Sequence, residues 1–358
     1  MSTRFIRVTV ALAAVLLLAG CSTGGGSPSA AASEAASQPP ASQPPASTAP
    51  SAAAAAVELT FAHSYQDAQP QHACGAKVIA DELAAANVGV AAEIFGASQL
   101  GGDADRVASV ASGDIDMDIQ GASALSALYA PIGTLDGAFV FDDSDHLHRF
   151  FTSEASQPLK DAFLAATGIR ILGAWSAGAR QFTANVPIRT PDDLQGLRMR
   201  FPPSPQFLMN AEAMGASAVE VAFEELYLAL QQGTVDGQEN PINNIAANNI
   251  QEVQDVMSLS SHQLNSNLVV INEATWTGMS PEQQAALTAA VDKSVLEVPP
   301  CVEEFETTTL DEWRANNTIE IVDDVDRAAF QTKAEAFLRE NFSPEQVTVL
   351  EAIRSTAE

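Results

Sequence analysis

The chain has 358 residues, 46% of them hydrophobic and 6% aromatic, with 17 basic residues against 45 acidic ones and a formal charge of −28. That charge makes nucleic acid and anionic membrane surfaces poor partners. It also repels a free anion, so any acid this chain binds must be held by local positive groups.

Residues 1–20 read as an address. Arg4 and Arg7 give a basic start, Val8 to Leu18 form an apolar run too short to span a bilayer comfortably, and Leu18-Ala19-Gly20 places small residues before Cys21. The pattern resembles a bacterial lipoprotein signal, which implies cleavage before Cys21 and lipid attachment to its sulfur. Residues 21–56 collapse to Ser, Ala, Pro, Gly and Gln, with QPPAS repeated at Gln38–Ser42 and Gln43–Ser47. With little but alanine to bury, this segment is expected to be a disordered, lipid-anchored tether. The remaining stretch of about 300 residues suits two lobes better than one core.

Val57 to Phe61 alternates apolar with polar and predicts a strand ending at His63. A helix is expected over Gln71–Ala86, a strand at Val90–Phe95, a helix at Asp103–Ser112 and a strand at Ile115–Gln120. The alternation continues through Leu147–Ala166, Ile169–Trp175, Pro205–Met214, Ser217–Val221, Phe223–Gln232 and Val235–Glu239. This pattern predicts an α/β fold with largely parallel sheets, in which ligands sit beyond the carboxyl ends of strands. His63, Gln120, Trp175 and Asn240 fall at such ends and are the first pocket candidates. From Pro281 to Asn317 a long helix is expected, roughly 50 Å at 1.5 Å per residue, with a kink or a break at Pro299-Pro300. Arg327–Glu340 and Pro344–Ser355 close the chain as helices.

Few motifs carry chemistry on their own. Asp142, Asp143, Asp145, His146 and His148 form the densest metal-like cluster, but His146 and His148 are two apart and point to different sides of a helix, so helix capping explains the aspartates better. Asp114, Asp116 and Asp118 lack the glycine and glutamate of a calcium loop. Ser176 in Gly173–Gly178 has the wrong spacing for a nucleophile elbow. No dinucleotide, phosphate-loop or paired-cysteine motif is present, and neither a cofactor nor a metal is expected. Cys74 and Cys301 remain after Cys21; in an exported chain they are expected to pair, two isolated buried thiols being the alternative. Arg180, Arg189, Arg198 and Arg200 crowd ahead of GQENP at Gly237–Pro241. Arginine's planar fork matches a carboxylate with two parallel hydrogen bonds, so a small organic acid is the simplest ligand. Arg198 and Arg200, at i and i+2 of one strand, should share a face; Arg189, beside a turn, reads as exposed or structural.

HSY at the start, GASQLGG at Gly96–Gly102, GDIDM at Gly113–Met117, ANVPIRTPDDLQGLRMRFPPSP at Ala184–Pro205 and AFEELYLALQQGTVDGQENP at Ala222–Pro241 resemble the solute-binding receptors of TRAP transporters. The resemblance implies a two-lobed, periplasmic-binding-protein-like (Venus-flytrap) fold with a long helix bracing both lobes: lobe I over 57–177, lobe II over 178–265, a return to lobe I over 266–305, and C-terminal helices over 306–358 packed on lobe II. It implies a receptor outside the cytoplasmic membrane, not an enzyme, that delivers an organic acid to the membrane subunits of an ion-gradient-driven permease. It assigns Arg200 to the ligand carboxylate, Arg180 as a second arginine and Asn240 as a hydrogen-bond donor, with His63, Gln120, Ser123, Trp175 and Phe223 reaching the cleft. Glu220 stands where relatives often carry a small residue or proline, and should point outward. Two other readings stay open from the residues alone: a secreted hydrolase using Ser176 or His63, and a receptor serving a sensor or another transporter type.

Overall fold

The computed structural model describes residues 55–357, so the expected signal, Cys21 and nearly all of the tether lie outside the described residues. The described chain opens with β1 (Val57–His63), a π-helical turn (Gln71–Ala76) that runs straight into α1 (Lys77–Ala86), β2 (Val90–Phe95), α2 (Asp103–Ser112), β3 (Met117–Gly121) and the short α3 (Ala122–Leu125). A 3-10 segment (Ala130–Asp136), α4 (Ser144–Thr152) and α5 (Gln157–Thr167) lead to the long β4 (Ile169–Ala184). Then come β5 (Arg198–Phe201), α6 (Pro205–Met214), β6 (Ser217–Glu220), α7 (Leu226–Gln231), β7 (Gly237–Pro241), α8 (Ile242–Ala247) and the long β8 (Val256–Asn272). The chain closes with α9 (Glu273–Gly278), α10 (Pro281–Asn316), β9 (Glu320–Val322), α11 (Arg327–Asn341) and α12 (Pro344–Arg354).

Local chemistry sets these boundaries. Asp103 and Asp105 place negative charge in the first turn of α2, where the helix dipole favours it, and Gly113 ends that helix at φ +85°. Asp143 caps α4 by accepting from the His146 N–H. The two ring nitrogens of His146 are spent on backbone, one accepting from the Asp142 N–H and the other meeting the Ile353 carbonyl of α12 at 2.9 Å. The metal-like cluster is thus a helix start and an anchor. Ser280 and Gln283 form a reciprocal capping box ahead of α10.

The strand order is β2-β1-β3-β8-β4-β7-β5-β6, with β9 beside β8. Parallel pairing holds within β2-β1-β3 and within β7-β5-β6. The expectation of largely parallel sheets fails in the middle, where β8 runs antiparallel to β3 and β4, and β4 antiparallel to β7. The reason is that β4 and β8 are crossing strands. β4 does not end at Trp175 but continues to Ala184, so it and β8 serve both lobes. Their pairing slips between Ser176 and Ala179, where Gly178 sits at φ +102°.

Period-two alternation along β8 sends Val269 and Ile271 into one apolar layer with β1, α1 and α10, and Leu268 and Val270 into another with α4 and α5. In the second lobe, Phe182, Met199 and Phe201 pack with α6 and α11, while α7, α8 and Met257 pack with Trp313 near the end of α10. Each fully buried Leu, Val, Ile or Phe contributes about 1.5–3 kcal/mol. α10 therefore joins a core of each lobe, with Leu287, Val291 and Val298 in the first and Trp313 in the second. The C-terminal helices divide: Phe330, Ala334 and Leu338 of α11 pack on the second lobe, but Val349 and Ile353 of α12 pack on the first.

The expected interruption at Pro299-Pro300 is absent, since α10 runs unbroken for 36 residues. Two prolines remove the N–H groups that would bond the carbonyls of Val295 and Leu296. Leu296 is 65% exposed, so that side of the helix faces water. Val298 and Val302 hold the other side in the core, and Cys301 is bonded to Cys74 of the π-helical turn. No described helix is long and apolar enough to cross a membrane.

Candidate ligand-binding cleft

Between the lobes lies a cavity of about 430 Å³ whose walls include Tyr65, Gln120 and Asn267 from the first lobe and Arg200, Phe223 and Asn240 from the second. Its size is that of a small-molecule site. A larger, more open hollow of about 680 Å³ lies beside α10 and the β4 bulge; it contains none of the clustered arginines, and the arginine on its wall is Arg327 of α11.

Arg200 is 1% exposed on β5. Its Nε donates to the Val221 carbonyl at 2.9 Å, its guanidinium stands over the Phe223 ring, and Nη1 is buried without a hydrogen-bond partner among the described residues. Burial pushes its pKa down to about 10, while Glu239 favours the charge and Arg180 opposes it. A buried, charged and underused fork is costly unless something completes it.

Arg180 also reaches the cavity, but each of its three nitrogens already has a protein partner and four of its five N–H donors are used. It forks onto both carboxylate oxygens of Glu239, reaches the Glu239 carbonyl at 2.7 Å and donates from Nη1 to Asn265 Oδ1 at 2.7 Å. Phe207 covers its face at 4.6 Å. Burial would raise the Glu239 carboxyl, but Arg180 and His262 hold it below the ordinary glutamate value. His262 lies under Phe182 in parallel stacking, 4.2 Å between centroids, and burial lowers its pKa. Arg180 is thus a neutralised, positioned arginine and Arg200 an open one.

Of the other candidates, Gln120, Asn240 and Phe223 stand on the cavity wall. Gln120 accepts from the Gly121 N–H at 2.9 Å and donates to Asp118, which pairs with buried Arg106. Asn240 donates to Gln238 Oε1 at 2.5 Å. His63, Ser123 and Trp175 do not stand on the wall. His63 is wholly buried, with Nδ1 accepting from the Tyr65 N–H at 3.1 Å and Nε2 facing His72 at 3.2 Å; burial takes its pKa down to about 3. Its place in the cleft is taken by Tyr65, two residues on, whose hydroxyl donates to Asn267 Oδ1 at 2.8 Å. Ser123 is fully buried, with its N–H donating to Asp136 at 2.7 Å. Trp175 lies in the apolar layer with α10 because β4 carries it past mid-sheet rather than ending there.

Arg198 and Arg200 do not share an environment: Arg198 is exposed and forks onto Asp236, with Nη2 at 2.6 Å. Arg189 meets Asp324 at the surface, and Glu220 is exposed. Ser176 Oγ accepts from the Gly178 N–H in the other hollow, and no hydrogen bond joins it to His63. Sequence reasoning missed Tyr65, Ser204, Phe207, Asn265 and Asn267. The asparagines lie on β8, whose polar first half hid the strand.

Two lobes joined by crossing strands, with an uncommitted buried arginine in the cleft between them, define a solute-binding receptor. The chain belongs to the family described as bacterial extracellular solute-binding protein, family 7, which matches residues 61–345. It is 31% identical over 304 residues to the 2,3-diketo-L-gulonate-binding periplasmic protein of Escherichia coli K12, covering 84% of this chain and 92% of that one. It is 33% identical over 219 residues to the sialic acid-binding periplasmic protein of Vibrio cholerae, covering 61% and 68%. Among solved structures, a TRAP periplasmic solute-binding protein of Roseobacter denitrificans with bound L-galactonate superposes with a TM-score of 0.78 at 27% identity, covering 84% of this chain and 99% of that one. One of Shewanella oneidensis with bound succinate gives a TM-score of 0.78 at 25% identity, covering 85% and 100%. The family consists of binding proteins rather than enzymes, and the relatives named here are periplasmic.

Proposed function

We propose that this protein captures a small organic acid between its lobes, with Arg200 as the fixed counter-charge to the ligand carboxylate, and delivers it to the membrane subunits of an ion-gradient-driven TRAP permease. The observation that carries this reading is the buried Nη1 of Arg200 with no hydrogen-bond partner among the described residues, on the wall of an interlobe cavity. An acid leaving water for a closed cleft loses its hydration, and a hydrogen-bonded counter-charge makes that tolerable. Asn240, Gln120 and Phe223 complete the wall around it. Contacts from both lobes favour the closed state, which is the difference a permease can read. Attachment of a lipid at Cys21, with residues 22–56 as tether, would hold the receptor at the outer face of the cytoplasmic membrane.

Small-angle scattering tests the reading. A saturating acid ligand should make the particle more compact, and profiles identical with and without an acid that binds would refute lobe closure.

A further inference from the structure

The charges and polar groups around the cleft, taken together, narrow the ligand further, and this narrowing rests on the acid-receptor reading above. Among the described residues on the cavity wall, only Arg180 and Arg200 are basic. Arg180 is matched by Glu239, whose two carboxylate oxygens it holds, so its charge is already balanced inside the protein. One cation, Arg200, remains for the ligand. The acidic groups on the same wall are more numerous: Asp103, Asp105, Asp136 and Glu224. Asp103 is engaged by Arg106 at 2.8 Å, and Asp136 by Ser123 and Ser266, but Glu224 and Asp105 are exposed, and neither pairs with a cation among the described residues. A second carboxylate on the ligand would find no partner cation and would face these acids.

The rest of the wall is rich in neutral hydrogen-bonding groups. Gln120, Asn240, Asn244, Asn265 and Asn267 supply amides and Tyr65 a hydroxyl. Ser204 Oγ, at the start of α6, is buried without a partner beside the cavity. Amides and hydroxyls both donate and accept, which is what a run of ligand hydroxyls requires. A site built to hydrogen-bond hydroxyls also discriminates against analogues lacking them, because its own buried groups would be left unpaired. The cavity of about 430 Å³ extends well beyond what a four-carbon diacid fills.

We infer that the cleft selects a polyhydroxylated monocarboxylate, of the aldonate or uronate class, and rejects dicarboxylates. The test is calorimetric titration of the purified protein, stripped of co-purified ligand, with D-gluconate, D-glucuronate, D-glucarate, succinate and D-glucitol. Gluconate and glucarate differ only in a hydroxymethyl group replaced by a second carboxylate, and glucitol removes both acids. The expected result is at least a hundredfold tighter binding of gluconate or glucuronate than of glucarate or succinate, with glucitol not bound. Glucarate or succinate binding as tightly as the monoacids, or more tightly, would overturn this inference and leave the acid-receptor reading standing. Binding of glucitol with none of the acids would overturn both.

Discussion

Replacing Arg200 by methionine should separate the cost of the buried charge from its use. The methionine fills much of the same volume with no charge, and it gives up the 2.9 Å bond to the Val221 carbonyl. In the folded protein burial holds the Arg200 pKa at about 10, well below the ordinary arginine value. That difference corresponds to roughly 3 kcal/mol of preference against the charged form. Because the folded value lies below the unfolded one, the penalty is fully present below about pH 10 and fades only as the pH rises beyond it toward the ordinary arginine value. At neutral pH, then, Arg200→Met relieves up to about 3 kcal/mol and loses about 1 kcal/mol of hydrogen bonding. The ligand-free melting temperature should stay level or rise by a few degrees. Binding should collapse, because an acid in the cleft would be buried without its counter-charge, a loss of about 3–5 kcal/mol or roughly a hundredfold to several-thousandfold in affinity. Differential scanning calorimetry of the stripped protein reads the first effect and titration with the best acid ligand reads the second. Affinity within about threefold of wild type would refute the role of Arg200, and a ligand-free melting temperature lower by ten degrees or more would refute the claim that it is held there at a cost.

Arg180→Met should behave oppositely, destabilising the ligand-free protein by about 3–5 kcal/mol because Glu239 is left buried and unpaired. The double change Arg180→Met with Glu239→Leu should recover most of that loss in thermal denaturation; a single mutant as stable as wild type would show that the pair is not structural. Glu306 has its carboxyl turned in against Gly178 and Asn243 Nδ2, and burial raises its pKa to about 7. Its folded value exceeds the unfolded 4.5, so its own contribution to stability is fully present below pH 4.5 and is lost as the pH rises through 7. Glu306→Gln should remove part of that loss, gaining at most about 3 kcal/mol at pH 8; Asp118, also raised to about 7 by burial, supplies a further part. Superimposable curves of melting temperature against pH for wild type and Glu306→Gln would refute the assignment. Reduction of Cys74–Cys301, which are 227 positions apart, should cost about 5 kcal/mol on the chain-entropy account. A melting temperature unchanged by reductant, with free thiols confirmed by labelling, would contradict it.

Much of this molecule was legible in its sequence, and the failures have physical causes. The outer strands and their helices announced themselves through period-two and helical patterning, and RMRF was readable as a strand carrying Arg200. The crossing strands were not. A crossing strand changes lobes midway, so its alternation is broken where Gly178 bulges, and β8 begins with the polar run SLSSHQLNSN before its apolar half. Losing β8 meant losing Asn265 and Asn267, and ending β4 early put Trp175 in the pocket when it belongs to the core. His63 was too early, since the chain reaches the cavity at Ser64 and Tyr65, just past the end of β1. The neutralisation of Arg180 was invisible for another reason: Glu239 lies 59 residues away, and only the antiparallel pairing of β4 with β7 brings the two together. Pro299-Pro300 obeyed local rules that tertiary packing overrode, since Leu296 is exposed to water on one side while Val298 and Val302 fix the opposite face in the core.

The most direct test of the central claim is a crystal structure of the protein with its tightest-binding acid. The account predicts the acid enclosed between the lobes, its carboxylate accepting from the guanidinium of Arg200 and its remainder against Asn240, Gln120 and Tyr65. An acid seated in the hollow beside Glu306, or one in the cleft whose carboxylate makes no contact with Arg200, would contradict it.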